Sequence, residues 1–206
     1  MTSLPATIAL WGAAIAALLY LAACLLMLVL QRRLMYWPQL TRVEAAQTNL
    51  ALARGGVVLR GWQSHPGPAP AADAAIYLGG NAKAIEGNLA RLRAWLPEHS
   101  LYLLAYRGYG ASDGVPTEAM LEQDAIALFD EVRQRHPHGR IAVIGRSLGS
   151  GVAAALAAAR PVAQLVLVTP FDNMLNTVRD HYGWLPVALL LRDGGAGDER
   201  LRRYAG

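Results

Sequence analysis

The sequence predicts an α/β domain: a mostly parallel sheet entered through an antiparallel hairpin, covered by helices on both faces, and preceded by one transmembrane helix. Three observations carry this. Short apolar runs alternate with amphipathic helical stretches between residues 74 and 168, the pattern of a parallel sheet buried on both faces. Two strand-like runs flank Arg54-Gly55-Gly56, and a turn of that composition joins antiparallel strands. Residues 6–30 are almost wholly apolar, and no charged side chain occurs from residue 1 to residue 31.

Twenty-five helical residues reach roughly 37 Å, enough to cross a hydrocarbon core of about 30 Å with some tilt. Arg32 and Arg33 stop the run, and Tyr36 and Trp37 stand where interfacial aromatics belong, with Trp11 towards the other end. A cleaved signal peptide would need a positively charged start and a shorter apolar core. Leu21-Ala22-Ala23-Cys24 resembles a lipoprotein processing site, but the apolar stretch 25–30 would be a strange mature N-terminus. The expectation is a single-pass membrane protein, with Arg32, Arg33 and Arg42 favouring a cytoplasmic catalytic domain.

At 54% hydrophobic and 17% charged the 206 residues suit one folded domain of moderate size. The net charge is +4 and the 19 Lys and Arg are scattered, so no basic stripe points to a nucleic-acid partner. One cysteine, Cys24, rules out an intramolecular disulfide. No His, Asp or Glu spacing suggests a metal site, and no cofactor motif is present.

Along the chain, strands are expected at 49–53 and 57–62, followed by a Pro- and Ala-rich loop over 65–72. A strand at 74–78, a helix at 85–96 and a strand at 101–105 follow. The next helix spans 117–135, with Thr117 as N-cap, Glu118 in its first turn and Arg133 and Arg135 in its last. A strand over 140–144 leads to a helix containing 152–159, and one more strand covers 164–168. Residues 173–191 read as helical or cap-like.

Three motifs carry the chemistry. Gly145-Arg146-Ser147-Leu148-Gly149 falls between a strand and a helix, the context in which a sharp turn lifts a serine hydroxyl above a sheet edge. Leu78-Gly79-Gly80-Asn81-Ala82 ends the first parallel strand. The loop after that strand can supply a backbone N–H to a developing oxyanion, the residue after the nucleophile supplying the other. Tyr106-Arg107-Gly108-Tyr109-Gly110-Ala111-Ser112-Asp113-Gly114 lacks the Gly-Lys-[Ser/Thr] ending of a phosphate loop. Its expected work is structural, with Arg107 and Asp113 as internal partners.

Together, in this order and spacing, these motifs resemble the membrane-anchored branch of the α/β-hydrolase superfamily, over residues 34–193. The resemblance implies an α/β-hydrolase fold with Ser147 as nucleophile and an oxyanion hole formed by Leu148 and by Gly80 or Asn81. It implies hydrolysis of an ester, thioester or amide in a small-molecule or lipid-like acyl substrate. In that family an acid and a histidine follow further along the chain.

Here residues 192–206 are rich in Gly and charge and hold no histidine or strand-forming run. The sequence therefore predicts an anchor over 1–33, an incomplete, C-terminally truncated hydrolase domain over 34–191 and an atypical tail over 192–206. Asp172 and His181 follow Ser147 in the family's order and are the local candidates for acid and base. His136 and His138 precede the elbow strand and are expected in an exposed turn opposite the active face. Two functions compete: a membrane-anchored serine hydrolase, and a non-catalytic remnant with a binding role or none.

Overall fold

A computed structural model describes residues 4–170 and 174–194. The chain begins with the long helix α1 (Leu4–Met35). A hairpin follows, β1 (Leu50–Arg54) and β2 (Val57–Ser64). The alternating part runs β3 (Ala74–Leu78), α2 (Leu89–Trp95), β4 (Ser100–Leu104), α3 (Glu118–Arg135), β5 (Ile141–Arg146), α4 (Leu148–Ala159) and β6 (Gln164–Val168). Two short helices, α5 (Met174–Tyr182) and α6 (Val187–Leu190), come after it.

The six strands form one sheet in the order β1-β2-β4-β3-β5-β6. β1 pairs with β2, and β2 with β4, antiparallel, whereas β4, β3, β5 and β6 run parallel. This is the α/β-hydrolase fold. The middle position of β3 and β4 explains their composition: every residue of Ala-Ala-Ile-Tyr-Leu and of Ser-Leu-Tyr-Leu-Leu is buried. Strands covered on both faces read as continuous apolar runs. β6 has a neighbour on one side among the described residues, and its residues alternate between exposed and half-buried.

Helix starts follow local chemistry. The Thr117 side chain accepts a hydrogen bond from the Met120 N–H at 3.3 Å, capping α3 as its sequence implies. Leu121, Leu128, Phe129 and Val132 of α3 are buried, and that apolar stripe fastens the helix to the domain. The expected helix at 85–96 forms as a 3-10 turn (Glu86–Asn88) running into the shorter α2.

Four expectations change on tertiary grounds. Tyr36 is buried in the domain core, leaving Trp37, 40% exposed, as the accessible aromatic at that end of α1. β2 runs two residues further than expected because Gln63 and Ser64 pair with Tyr102 and Leu101 of β4. His136 is buried: its Nδ1–H donates to the Ala72 carbonyl (3.2 Å) and its Nε2 accepts from the Tyr102 hydroxyl (2.9 Å). Arg107 and Asp113 do not pair. Arg107 forks onto Asp124 of α3, at 2.6 and 2.8 Å. Asp113 instead accepts the Val58 N–H at 2.9 Å.

Asp124 is fully buried, and Arg54 approaches it at 3.5 Å from the hairpin. Removing the guanidinium that carries the two short bonds leaves a buried carboxylate short of partners, which costs about 3–5 kcal/mol. Arg107→Ala is therefore expected to lower the urea-unfolding midpoint sharply in detergent-solubilised protein. Arg140→Ala, at an ion pair whose arginine is 81% exposed, is expected to leave the midpoint nearly unchanged.

Candidate active site

The site lies at the carboxyl ends of β3 and β5, the edge where open α/β sheets bind ligands. β5 ends at Arg146 and α4 starts at Leu148. Ser147 alone makes the turn, with φ 51° and ψ −119°. Among the described residues only Thr169 shares a positive φ without being glycine. Such a backbone costs about 1–3 kcal/mol and persists where the surroundings over-determine it. Here they do: the Ser147 N–H donates to the Val168 carbonyl of β6 (3.0 Å), and the Ser150 N–H donates to the Ser147 carbonyl (2.7 Å).

The two glycines of the pentapeptide are demanded by packing. A Cβ on Gly149 would overlap the Leu78 carbonyl oxygen and fall 2.6 Å from that of Gly79. One on Gly145 would fall 2.6 Å from the Ala153 Cβ, within α4. The helix therefore lies directly against the end of β3, and this brings the Gly79-Gly80-Asn81 turn beside the serine. A Cβ built on Gly80 would sit 3.5 Å from that of Ser147.

The turn is held from both sides by the tyrosines of the Tyr106–Gly114 loop. The buried Tyr106 hydroxyl donates to the Gly79 carbonyl at 3.0 Å. The Tyr109 hydroxyl donates to the Asn81 Oδ1 at 2.7 Å and accepts the Trp37 N–H at 3.2 Å. That N–H also reaches Asn81 Oδ1 at 3.3 Å, and the Asn81 amide donates to the Met35 carbonyl. The end of α1 is thus bonded to the same turn. Sequence reasoning missed these positioning residues. Both tyrosines stood in the motif, but the roles were given to its charged members, Arg107 and Asp113.

No described acceptor takes the backbone N–H of Gly80, Asn81 or Leu148, and no described residue hydrogen-bonds the Ser147 hydroxyl. The arrangement presents a strained serine beside backbone donors free to receive an oxyanion. Asp172 lies outside the described residues. His181 sits in α5, exposed, with its Nδ1–H donating to the Thr177 carbonyl one turn earlier (2.9 Å). Two other histidines bond at the amino ends of the parallel strands, away from Ser147: His65 with Ser100 (3.0 Å) and His136 with Tyr102. Among the described residues no group of three or more His, Cys, Asp or Glu could hold a metal ion.

Comparison with known proteins agrees with this fold. Residues 88–190 match the family model Hydrolase_4, serine aminopeptidase, S33. An uncharacterized protein of Mycobacterium tuberculosis is 36% identical over 182 residues, covering 83% of this chain and 64% of that protein. The chain therefore spans about two thirds of the length of this curated relative. A Gallus gallus protein named lysophosphatidylserine lipase ABHD12 is 33% identical over 115 residues, covering 52% of this chain and 30% of the relative. Among solved structures, an alpha-beta hydrolase from Vibrio vulnificus superposes with a TM-score of 0.59 at 22% identity. The match covers 75% of this chain and 59% of that one, and the likeness is one of fold.

Burial pushes the Tyr109 phenol up from 10.0 to about 12. The unfolded chain releases this proton first, so the stability owed to protonated Tyr109 is whole below pH 10 and is lost as pH rises towards about 12. Tyr109→Phe is expected to show a shallower loss of urea midpoint across that window than the unsubstituted chain.

Proposed function

Because the chain belongs to the Hydrolase_4 (serine aminopeptidase, S33) family of α/β hydrolases, we propose that it is a membrane-anchored serine hydrolase of lipid-like or small-molecule acyl substrates. The observation that carries this is the positive φ of Ser147 at the strand–helix junction, with Gly80 packed beside it. An ester, thioester or amide carbonyl placed there is attacked by the Ser147 Oγ. Its oxygen becomes an oxyanion held by the N–H groups of Leu148 and of Gly80 or Asn81. Collapse expels the alcohol, thiol or amine with a proton and leaves an acyl-serine, which water then hydrolyses.

α1 supports the anchor: it is long and apolar enough to cross a membrane, and no residue of its apolar window is buried. In this reading residues 1–33 are the anchor, 34–191 the hydrolase domain and 192–206 an atypical C-terminal tail, with the domain on the cytoplasmic side. The ester named in the Gallus gallus relative, a lysophospholipid, is of the chemical class such a site would accept.

The base is the part that the described residues do not supply, since none hydrogen-bonds the Ser147 hydroxyl. That observation favours the second reading, a chain that binds acyl ligands without turning them over. Labelling with a fluorophosphonate decides between them. On the hydrolase reading Ser147 is labelled, Ser147→Ala abolishes the label, and His181→Ala leaves it unchanged because His181 is turned to its own helix. A chain that keeps its thermal midpoint yet takes no label is a binder. Gly80→Ala, whose methyl meets Ser147 at ordinary contact distance, is expected to fold normally and slow the labelling.

A further inference from the structure

We propose that α1 is one wall of the substrate site, and that the groove between α1 and the α5–α6 hairpin holds a single lipid acyl chain whose carbonyl end is delivered to Ser147. The inference rests on the hydrolase reading above and names where the acyl part of its substrate lies.

The groove has a volume of about 690 Å³, within the roughly 300–1,000 Å³ of small-ligand sites. Its first wall is a stripe of α1 at helical spacing, Ala23, Leu26, Met27, Leu30 and Leu34. Val178, Leu185 and Leu191 stand opposite. From Ala23 to Met35 the stripe runs roughly 18 Å at 1.5 Å per residue, the reach of a long-chain acyl group. Of the side chains with polar atoms on the lining, Tyr182 and Trp184 belong to the hairpin, and Gln31 and Asn81 are already used. Gln31 donates to the Leu28 and Leu190 carbonyls (3.0 and 3.1 Å) and accepts the Arg192 N–H (2.8 Å). Asn81 is bonded to Met35, Trp37 and Tyr109. A ligand in the groove meets mostly apolar surface.

Two features select the occupant. One end of the groove is Asn81, next to Gly80, which packs on Ser147. A chain lying in the groove therefore ends at the oxyanion turn. The other end opens along the apolar window of α1, the segment that the proposed anchor places in the bilayer. On the hairpin the exposed Trp184 ring belongs to the same lining. An acyl chain can thus pass from the membrane along α1 without crossing water, against a lining that is mostly apolar.

The test is photocrosslinking of the full chain in detergent micelles with a diazirine-bearing long-chain fatty acid, mapped by mass spectrometry. Label is expected on both walls, on 23–35 and on 174–191, and is competed by the unmodified fatty acid. Leu34→Trp and Leu30→Trp fill the groove and are expected to cut the label on 174–191 roughly tenfold, the equivalent of a few methylenes denied burial. Leu189→Trp, outside the lining, leaves it unchanged, and thermal midpoints confirm that each variant is folded. Label spread evenly along α1 with none on 174–191, or indifferent to both groove-filling changes in folded protein, overturns the proposal. Ser147→Ala keeps the crosslink. Groove labelling without fluorophosphonate reaction at Ser147 therefore overturns the hydrolase reading and spares the groove, and the reverse result does the opposite.

Discussion

The first turn of α4 passes so close to the end of β3 that a side chain on Gly149 would overlap the Leu78 carbonyl oxygen, and the rest of the site depends on that approach. It fixes where β5 must hand over to the helix, so one residue has to complete the turn in a backbone region that side chains avoid. Ser147 accepts that strain because the hydrogen bonds from its own N–H to Val168 and to its carbonyl from Ser150 leave it no relaxed alternative. The same approach sets the Gly79–Asn81 turn beside the serine. The strained serine and the turn beside it are consequences of one packing contact, not two separately built features.

A second layer secures the turn from outside. Tyr106 and Tyr109 grip its two ends through Gly79 and Asn81, and the Arg107 between them is pinned to Asp124 of α3. Ser112, further along the loop, accepts the Arg60 N–H and donates to the Ala105 carbonyl. The loop is thus clamped to the hairpin, to α3 and to the turn at once. Buried phenols without partners would be costly, so the tyrosines hold the turn as firmly as the turn satisfies them.

How much of this the sequence disclosed follows from the range of each interaction. Strands β3 to β5 were legible because burial leaves apolar runs, and the Thr117 cap was legible because its partner lies three residues away. The elbow was legible because its glycines answer a steric demand that recurs wherever a strand meets a helix in this way. Tyr36, His136 and Arg107 were misplaced for one shared reason. Their partners lie far along the chain, as His136 shows with Tyr102 and Ala72, and a turn-like neighbourhood or a place beside an apolar helix carries no trace of them. The bonds from Asn81 to Met35 and Trp37 join segments more than forty residues apart and left no local signal.

The fastening of α1 to the hairpin shows why the groove beside it stays a groove. Where lipid surrounds two apolar surfaces, closing them together gains no hydrophobic free energy, because the chains they would exclude are as apolar as they are. Polar contacts must then decide the geometry. They gather at one end: Gln31 bonds Leu190 and Arg192, and Arg32 pairs with Asp193 at 3.1 Å. Towards the middle of α1, the Tyr20 hydroxyl reaches the Trp184 carbonyl at a long 3.4 Å, and the two rings lie 6.3 Å apart. A hairpin pinned at its polar end leaves an apolar cleft open along α1, with Asn81 on its lining. The residues that hold that end shut are also the neighbours of those that set the Gly79–Asn81 turn, so the position of α1 and the geometry of the candidate site are parts of one hydrogen-bonded unit.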